Sequence, residues 1–161
     1  MENVNRKRLF VASCLALLVT AITFAIRARI ASVFTDDYGL SPEEVGRALA
    51  PAFWGFAVAM FAGGYIIDIV KTRTIVWLAF ALHLVGIVLL LMAKDYTSLF
   101  LANVLIGLGN GSVEAACNPL VTALFPEKKS KMLNRFHVWF PGGIVIGSLL
   151  AAIVMDSLNL P

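Results

Sequence analysis

A single carboxylate, Glu114, stands in the middle of an otherwise uncharged apolar stretch, SLFLANVLIGLGNGSVEAACNPLVTALF (Ser98–Phe125). An ionisable group at bilayer depth costs about 3 to over 10 kcal/mol and commonly faces a protein interior or a water-filled cavity. At roughly 100° per residue, with Asn103 set at zero, Asn110 falls near −20°, Glu114 near +20° and Asn118 near +60°. Three amides and the lone acid therefore share one face, with Gly107 beside them. An acid in that setting can take up and release a proton, and amides can donate to and accept from a polar solute. The face is expected to line an aqueous cavity; a solute-free polar seam between helices is the other reading. Asn118 precedes Pro119, which lacks a backbone donor and predicts a kink.

A second polar face lies on the first apolar block. Ser13, Thr20, Thr23 and Arg27 fall within about 80° of one another, and Arg29 points the opposite way. Arg27 is therefore the candidate for the cavity, and Arg29 is expected to snorkel to the headgroups. Arg27 and Glu114 differ by about ten residues in depth, roughly 15 Å, which places them at two levels of one cavity. His137 opens the fifth block near Asn134 and is a weaker candidate for contact with substrate or proton. His83, alone among Leu, Ala and Val, reads as a packed residue. Asp68 ends the second block, where a carboxylate opposes the helix dipole. With Lys71 and Arg73 around a tight turn it forms a candidate cytoplasmic gate.

Five apolar blocks must position these groups: about residues 9–33, 45–70, 74–92, 98–125 and 136–155. Each can cross a hydrocarbon core of about 30 Å as a helix. The 60% hydrophobic and 14% charged composition lies far from the soluble average. The class is an all-α integral membrane protein. Basic residues collect on one side (Arg6, Lys7, Arg8; Lys71, Arg73; Lys128, Lys129, Lys131, Arg135), and the other carries Asp36, Asp37, Glu43, Glu44 and the Lys94–Asp95 pair, with Arg47 at a span edge. The positive-inside rule then predicts a cytoplasmic N-terminus, and five spans put Pro161 outside. The net charge of +3 is sorted by loop and indicates no nucleic-acid partner. Ser41 followed by Glu44 predicts a capping box, and 126–135 reads as the longest inner loop. Small residues repeat at Gly55, Ala59 and Gly63, at Gly107, Gly111 and Ala115, and at Gly143, Gly147 and Ala151, as packing faces. Cys14 and Cys117 lie in separate spans and read as packing residues. No paired catalytic acid, metal-spaced histidine set or nucleophile–base pair is present within one span, so an enzyme, a cofactor and a metal site are not expected.

Gly64-Tyr-Ile-Ile-Asp68-Ile-Val-Lys71-Thr-Arg73 resembles the signature between the second and third helices of major facilitator superfamily transporters. Val113-Glu114-Ala115-Ala116-Cys117-Asn118-Pro119, with Pro126-Glu127, Leu133-Asn134 and Phe140-Pro141-Gly142-Gly143, resembles the fucose permease branch of proton-coupled sugar symporters. The resemblance implies the first five helices of a twelve-helix fold, so that residues 1–161 form a truncated N-terminal transmembrane half in the plasma (inner) membrane. It implies alternating access, with Glu114 matching the family's buried, protonatable acid, Asn118 the Asn of its Asn-Pro and His137 falling near a family Gln; Asn110 and Arg27, from their places on the polar faces, join Asn118 as expected solute contacts. The missing C-terminal half, or another copy, would close the site. The branch has an Asp near the outer part of its first helix, where this chain offers only Ala25, Ile26 or Arg27; were Arg27 the match, it would favour an anionic or sugar-acid ligand instead. The expected function, in the complete protein, is therefore proton-coupled transport of a small polar solute, a sugar in the first place, with a sugar acid as the variant that Arg27 suggests. The alternative is a membrane scaffold or sensor derived from a transporter, with the small-residue stripes serving oligomerisation.

Overall fold

A computed structural model of the protein describes residues 5–158. The described residues are helical, without strands, and supply five segments long and apolar enough to cross a membrane: Arg6–Asp36, Pro42–Ile66, Thr72–Met92, Tyr96–Leu124 and Pro126–Val154. Pro161 lies outside the described residues. Three of the five segments are broken. The helices are α1 (Arg6–Ala25), α2 (Arg27–Asp36), α3 (Pro42–Leu49), α4 (Pro51–Ile66), α5 (Thr72–Met92), α6 (Tyr96–Leu124), α7 (Lys129–His137) and α8 (Trp139–Leu158).

Local chemistry explains the boundaries. Ser41 caps α3 reciprocally, as its spacing to Glu44 predicts: the Ser41 Oγ accepts from the Glu44 N–H at 3.3 Å, and Glu44 Oε2 accepts from the Ser41 N–H at 2.9 Å. Pro51 has no N–H to continue the ladder of α3, so a new helix starts there. The Phe53 N–H instead bonds to the Ala50 carbonyl at 2.9 Å. α4 stops at Ile66 rather than at Val70, and residues 67–70 form the turn that carries Asp68. The stretch 126–135, expected as a loop, is a short 3₁₀ turn (Pro126–Lys128) followed by α7. Met132 and Phe136, four residues apart, bury one face of α7 and make that helix worth forming. Pro119 does not interrupt α6, which runs through it to Leu124.

The chain divides into two compact units. One comprises residues up to Ile26 together with Asn118 onward. Its centre is the pairing of α1 with α8, where the Gly143 stripe meets α1. A Cβ on Gly143 would stand 2.9 Å from Leu18 Cδ1, and one on Gly147 would stand 2.9 Å from Ala25 Cβ. Phe10 meets Phe125, and Phe24 meets Phe140, edge to face.

The other unit is Arg27–Cys117. Its core is the seam between α4 and α6, where the Gly55 stripe faces the Gly107 stripe. A Cβ on Gly55 would lie 3.5 Å from Gly107 Cα, and one on Gly107 would lie 2.9 Å from Ala52 Cα. Small residues inside and large ones outside is the membrane arrangement. Trp77, Phe80, Leu84, Val88 and Leu91 of α5 are all exposed and suit acyl chains. At one end of this unit Phe34, Val45, Ala48, Ala93 and Leu99 form an apolar cluster. The small-residue stripes are thus consumed within the chain.

Candidate functional site

Arg27 opens α2, immediately after the break at Ile26. It is only 8% exposed, whereas Arg29 is exposed, as their opposite angular positions predict. Its Nη1 donates to the Leu49 carbonyl at 3.5 Å and to Asn103 Oδ1 at 3.3 Å. Both distances lie at or beyond the long end of the N–H···O range, so these are positioning contacts. The ring of Phe53 lies 5.4 Å from the guanidinium carbon, within cation–π range.

The acceptors exist for identifiable reasons. Leu49 O stands at the break between α3 and α4, where the Phe53 N–H has turned to Ala50. Asn103 is oriented by its own helix: its Nδ2 donates to the Leu99 carbonyl at 2.9 Å, which leaves Oδ1 towards the guanidinium. Asn103 was legible in the sequence only as the origin of the polar face. Leu49 has no sequence signal at all, because a backbone carbonyl carries none.

Along α6, Asn103 and Asn110 are buried and Glu114 is 9% exposed. Asn118 is half-buried, and its Oδ1 is sealed from solvent without a hydrogen-bond partner among the described residues. From the Arg27 level at Asn103 to Glu114 is eleven residues, roughly 16 Å of helix axis. On the first polar face Ser13, Thr20 and Thr23 are buried; the Thr23 hydroxyl donates to the Thr20 carbonyl at 2.7 Å, and Thr20 Oγ1 has no hydrogen-bond partner among the described residues.

His83 is more than a space-filler. It is 7% exposed, with Nδ1 2.9 Å from the Ala79 carbonyl and Nε2 2.6 Å from Asn110 Oδ1. A lone histidine among aliphatics gave no hint that an amide 27 positions away would meet it. His137 ends α7 and is exposed, with its ring against Phe136 at 5.1 Å. Asp68, Lys71 and Arg73 are all exposed, and Asp68 makes no ion pair among the described residues. No group of three or more His, Cys, Asp or Glu side chains is placed to hold a metal ion among the described residues.

Residues 9–161 match the family model described as Major Facilitator Superfamily. Over 132 residues the chain is 26% identical to a protein named "Probable anion transporter 6, chloroplastic" from Arabidopsis thaliana. The aligned region covers 78% of this chain and 25% of that protein, so the chain spans about a quarter of its relative's length. No solved structure matches the chain.

Proposed function

Since the chain belongs to the Major Facilitator Superfamily, whose members move small solutes across membranes, we propose that it contributes one wall of an alternating-access carrier for a small organic anion such as a sugar acid, coupled to protons. The observation that carries this reading is Arg27, a guanidinium buried inside an apolar span and steered by Leu49 O and Asn103 Oδ1. Guanidinium is the side chain best matched to a carboxylate, which it grips through two parallel N–H donors. The relative's name, an anion transporter, agrees in solute class. Glu114 is the proton carrier in this reading, and Asn118 with Asn110 supplies hydrogen bonds to hydroxyls. His137 and the Asp68, Lys71 and Arg73 turn would act at the cytoplasmic mouth, with the N-terminus cytoplasmic in the plasma membrane. A neutral sugar is the second reading, favoured by the amides along α6 and by the likeness to the fucose permease branch. The scaffold alternative loses ground because its proposed oligomerisation stripes are occupied within the chain.

Uptake into membrane vesicles containing the complete carrier, this chain together with the wall that closes its site, tests both readings. Radiolabelled gluconate should enter under an inward proton gradient, and Arg27→Gln should reduce that uptake more than tenfold, as expected when one member of a buried charge pair is removed. Glu114→Gln should abolish the response to the gradient while leaving insertion intact. Fucose uptake that ignores Arg27→Gln would establish the neutral-sugar reading, and no uptake of either solute would refute the carrier.

A further inference from the structure

A hollow at the basic end of the unit that holds α1, α7 and α8 plays no part in the transport reading. It measures about 280 Å³ and is lined by Arg6, Phe125, Pro126, Glu127 and Lys128. Arg6 begins α1, and Lys128 ends the short turn that follows α6. The main chain shapes both walls. At the start of α1, Asn5 Oδ1 accepts from the Arg8 N–H at 2.9 Å. In the turn, the Phe125 N–H donates to the Val121 carbonyl at 3.2 Å, and the Lys128 N–H donates to the Phe125 carbonyl at 3.0 Å. Phe10 lies one turn beyond Arg6 on the same face of α1. Its ring stands edge to face with Phe125, 5.7 Å between centroids. That contact ties the wall carrying Arg6 to the wall carrying Lys128. Neither cation is ion-paired with Glu127 among the described residues, although all three line the hollow.

We propose that this hollow binds the phosphodiester headgroup of an anionic phospholipid, with Arg6 and Lys128 as its two cationic donors. The Arg6 guanidinium can offer parallel N–H groups to two phosphate oxygens, and the Lys128 ammonium adds a compact charge. At roughly 30 Å³ per water molecule the hollow has room for about nine, enough for a phosphorus, its four oxygens and the attached glycerol carbons. Depth selects a lipid over a dissolved phosphate. α1 begins at Arg6 and α6 ends at Leu124, so the hollow lies where two spanning helices leave the hydrocarbon. Phe10, one turn further into the span, and Phe125 supply apolar surface for the start of an acyl chain. With the N-terminus cytoplasmic, as proposed above, this level belongs to the leaflet that carries the anionic lipids. The positive-inside bias accounts for cations at this end. It does not require that two of them, from opposite parts of the sequence, open onto one cavity. α7 extends the same layer, burying Met132 and Phe136 while Lys129, Lys131 and Arg135 stay exposed. Glu127 opposes the headgroup charge and limits the affinity.

The test titrates the full chain, in neutral detergent micelles, with phosphatidylglycerol and counts bound lipid by native mass spectrometry. The expected result is one saturable site. Arg6→Gln and Lys128→Gln should each weaken it about fivefold, the effect of one cation at headgroup level. Phosphatidylcholine, which has the phosphate but no net charge, should bind roughly fivefold more weakly or worse. Lys131→Gln removes the same charge from an exposed position outside the hollow. It should change binding by less than about twofold, because diffuse attraction to a bound headgroup is screened. Glu127→Gln should tighten binding, a gain that misfolding cannot produce, and it decides the matter if the Arg6 or Lys128 variant does not fold. Equal losses at Lys131 and Lys128 would overturn the proposal, as would equal binding of the two lipids or a Glu127→Gln variant that binds no tighter. Displacement of the lipid by an equal concentration of glycerol 3-phosphate would also overturn it, by assigning the hollow to a soluble phosphate. The measurement needs neither a transported solute nor a proton gradient, so its failure is distinct from a failure of the transport reading.

Discussion

Gly107→Ala adds one methyl group to the α4–α6 seam, and the seam has no room for it. The new carbon would stand 2.5 Å from the Pro51 carbonyl oxygen, 2.9 Å from Ala52 Cα and 3.1 Å from Ala52 O. All three neighbours are backbone atoms, so no rotamer change can relieve the clash. Restoring ordinary contact at about 3.5 Å requires the helices to part by nearly 1 Å, which forfeits a quarter to a half of each dispersion contact along the seam. Overpacking of this kind costs about 1–3 kcal/mol. Alanine recovers up to about 1 kcal/mol in helix propensity. The net loss should be about 1–2 kcal/mol, a factor of roughly 5–30 in the folded-to-unfolded ratio. Reversible unfolding of the purified protein in mixed micelles measures it. Gly64→Ala is the control, because a Cβ there meets nothing within 4 Å. That variant should be neutral or slightly more stable. If the two variants unfold together, the packing argument is wrong.

At the start of α3, Ser41→Ala should cost about 1 kcal/mol and Ser41→Gly only a few tenths, because glycine is tolerated as an N-cap and alanine is not. The same unfolding assay ranks the pair, and equal losses would remove the cap from the account. At the start of α6, Asp95 Oδ1 accepts from the Ser98 N–H at 2.9 Å, and that bond holds its carboxyl below the ordinary value of 3.8. A depressed folded-state value stabilises the protein above the unfolded-state value, and the benefit is lost as pH falls through the folded one. Asp95→Ala should therefore be less stable than the parent at pH 6, and the difference should fade below about pH 4. A difference that persists in acid would mean that the aspartate acts by something other than its charge.

The sequence located all five spans because each is long and apolar, and that signal adds up over some twenty residues. The breaks within them were less legible. Pro51 announced one, but the irregularity at Ile26 and the helix over Lys129–His137 depend on local packing that charge and composition hide. Angular arithmetic separated Arg27 from Arg29 because helix geometry is regular enough to assign faces. It could not supply partners. Asn103 Oδ1 points at Arg27 because the Leu99 carbonyl holds the other end of the amide, and Asn110 meets His83 because two helices happen to approach at that level. Both depend on how separate helices pack, which no single periodicity encodes. The glycine stripes were visible as stripes, but which helix each would meet was not.

The glycine seam also acts at a distance from itself. The two oxygens that steer the guanidinium of Arg27 come from different helices: Leu49 O at the head of the α3–α4 break, and Asn103 on α6 one turn before Gly107. With the carbonyl of Pro51 seated over Gly107 and that of Phe56 over Gly111, axial slippage by a single residue would drive a methyl or larger group into main chain. The gauge of the cradle around the arginine is therefore fixed by residues that never touch it, and the methyl-free notches at 107 and 111 keep it from drifting.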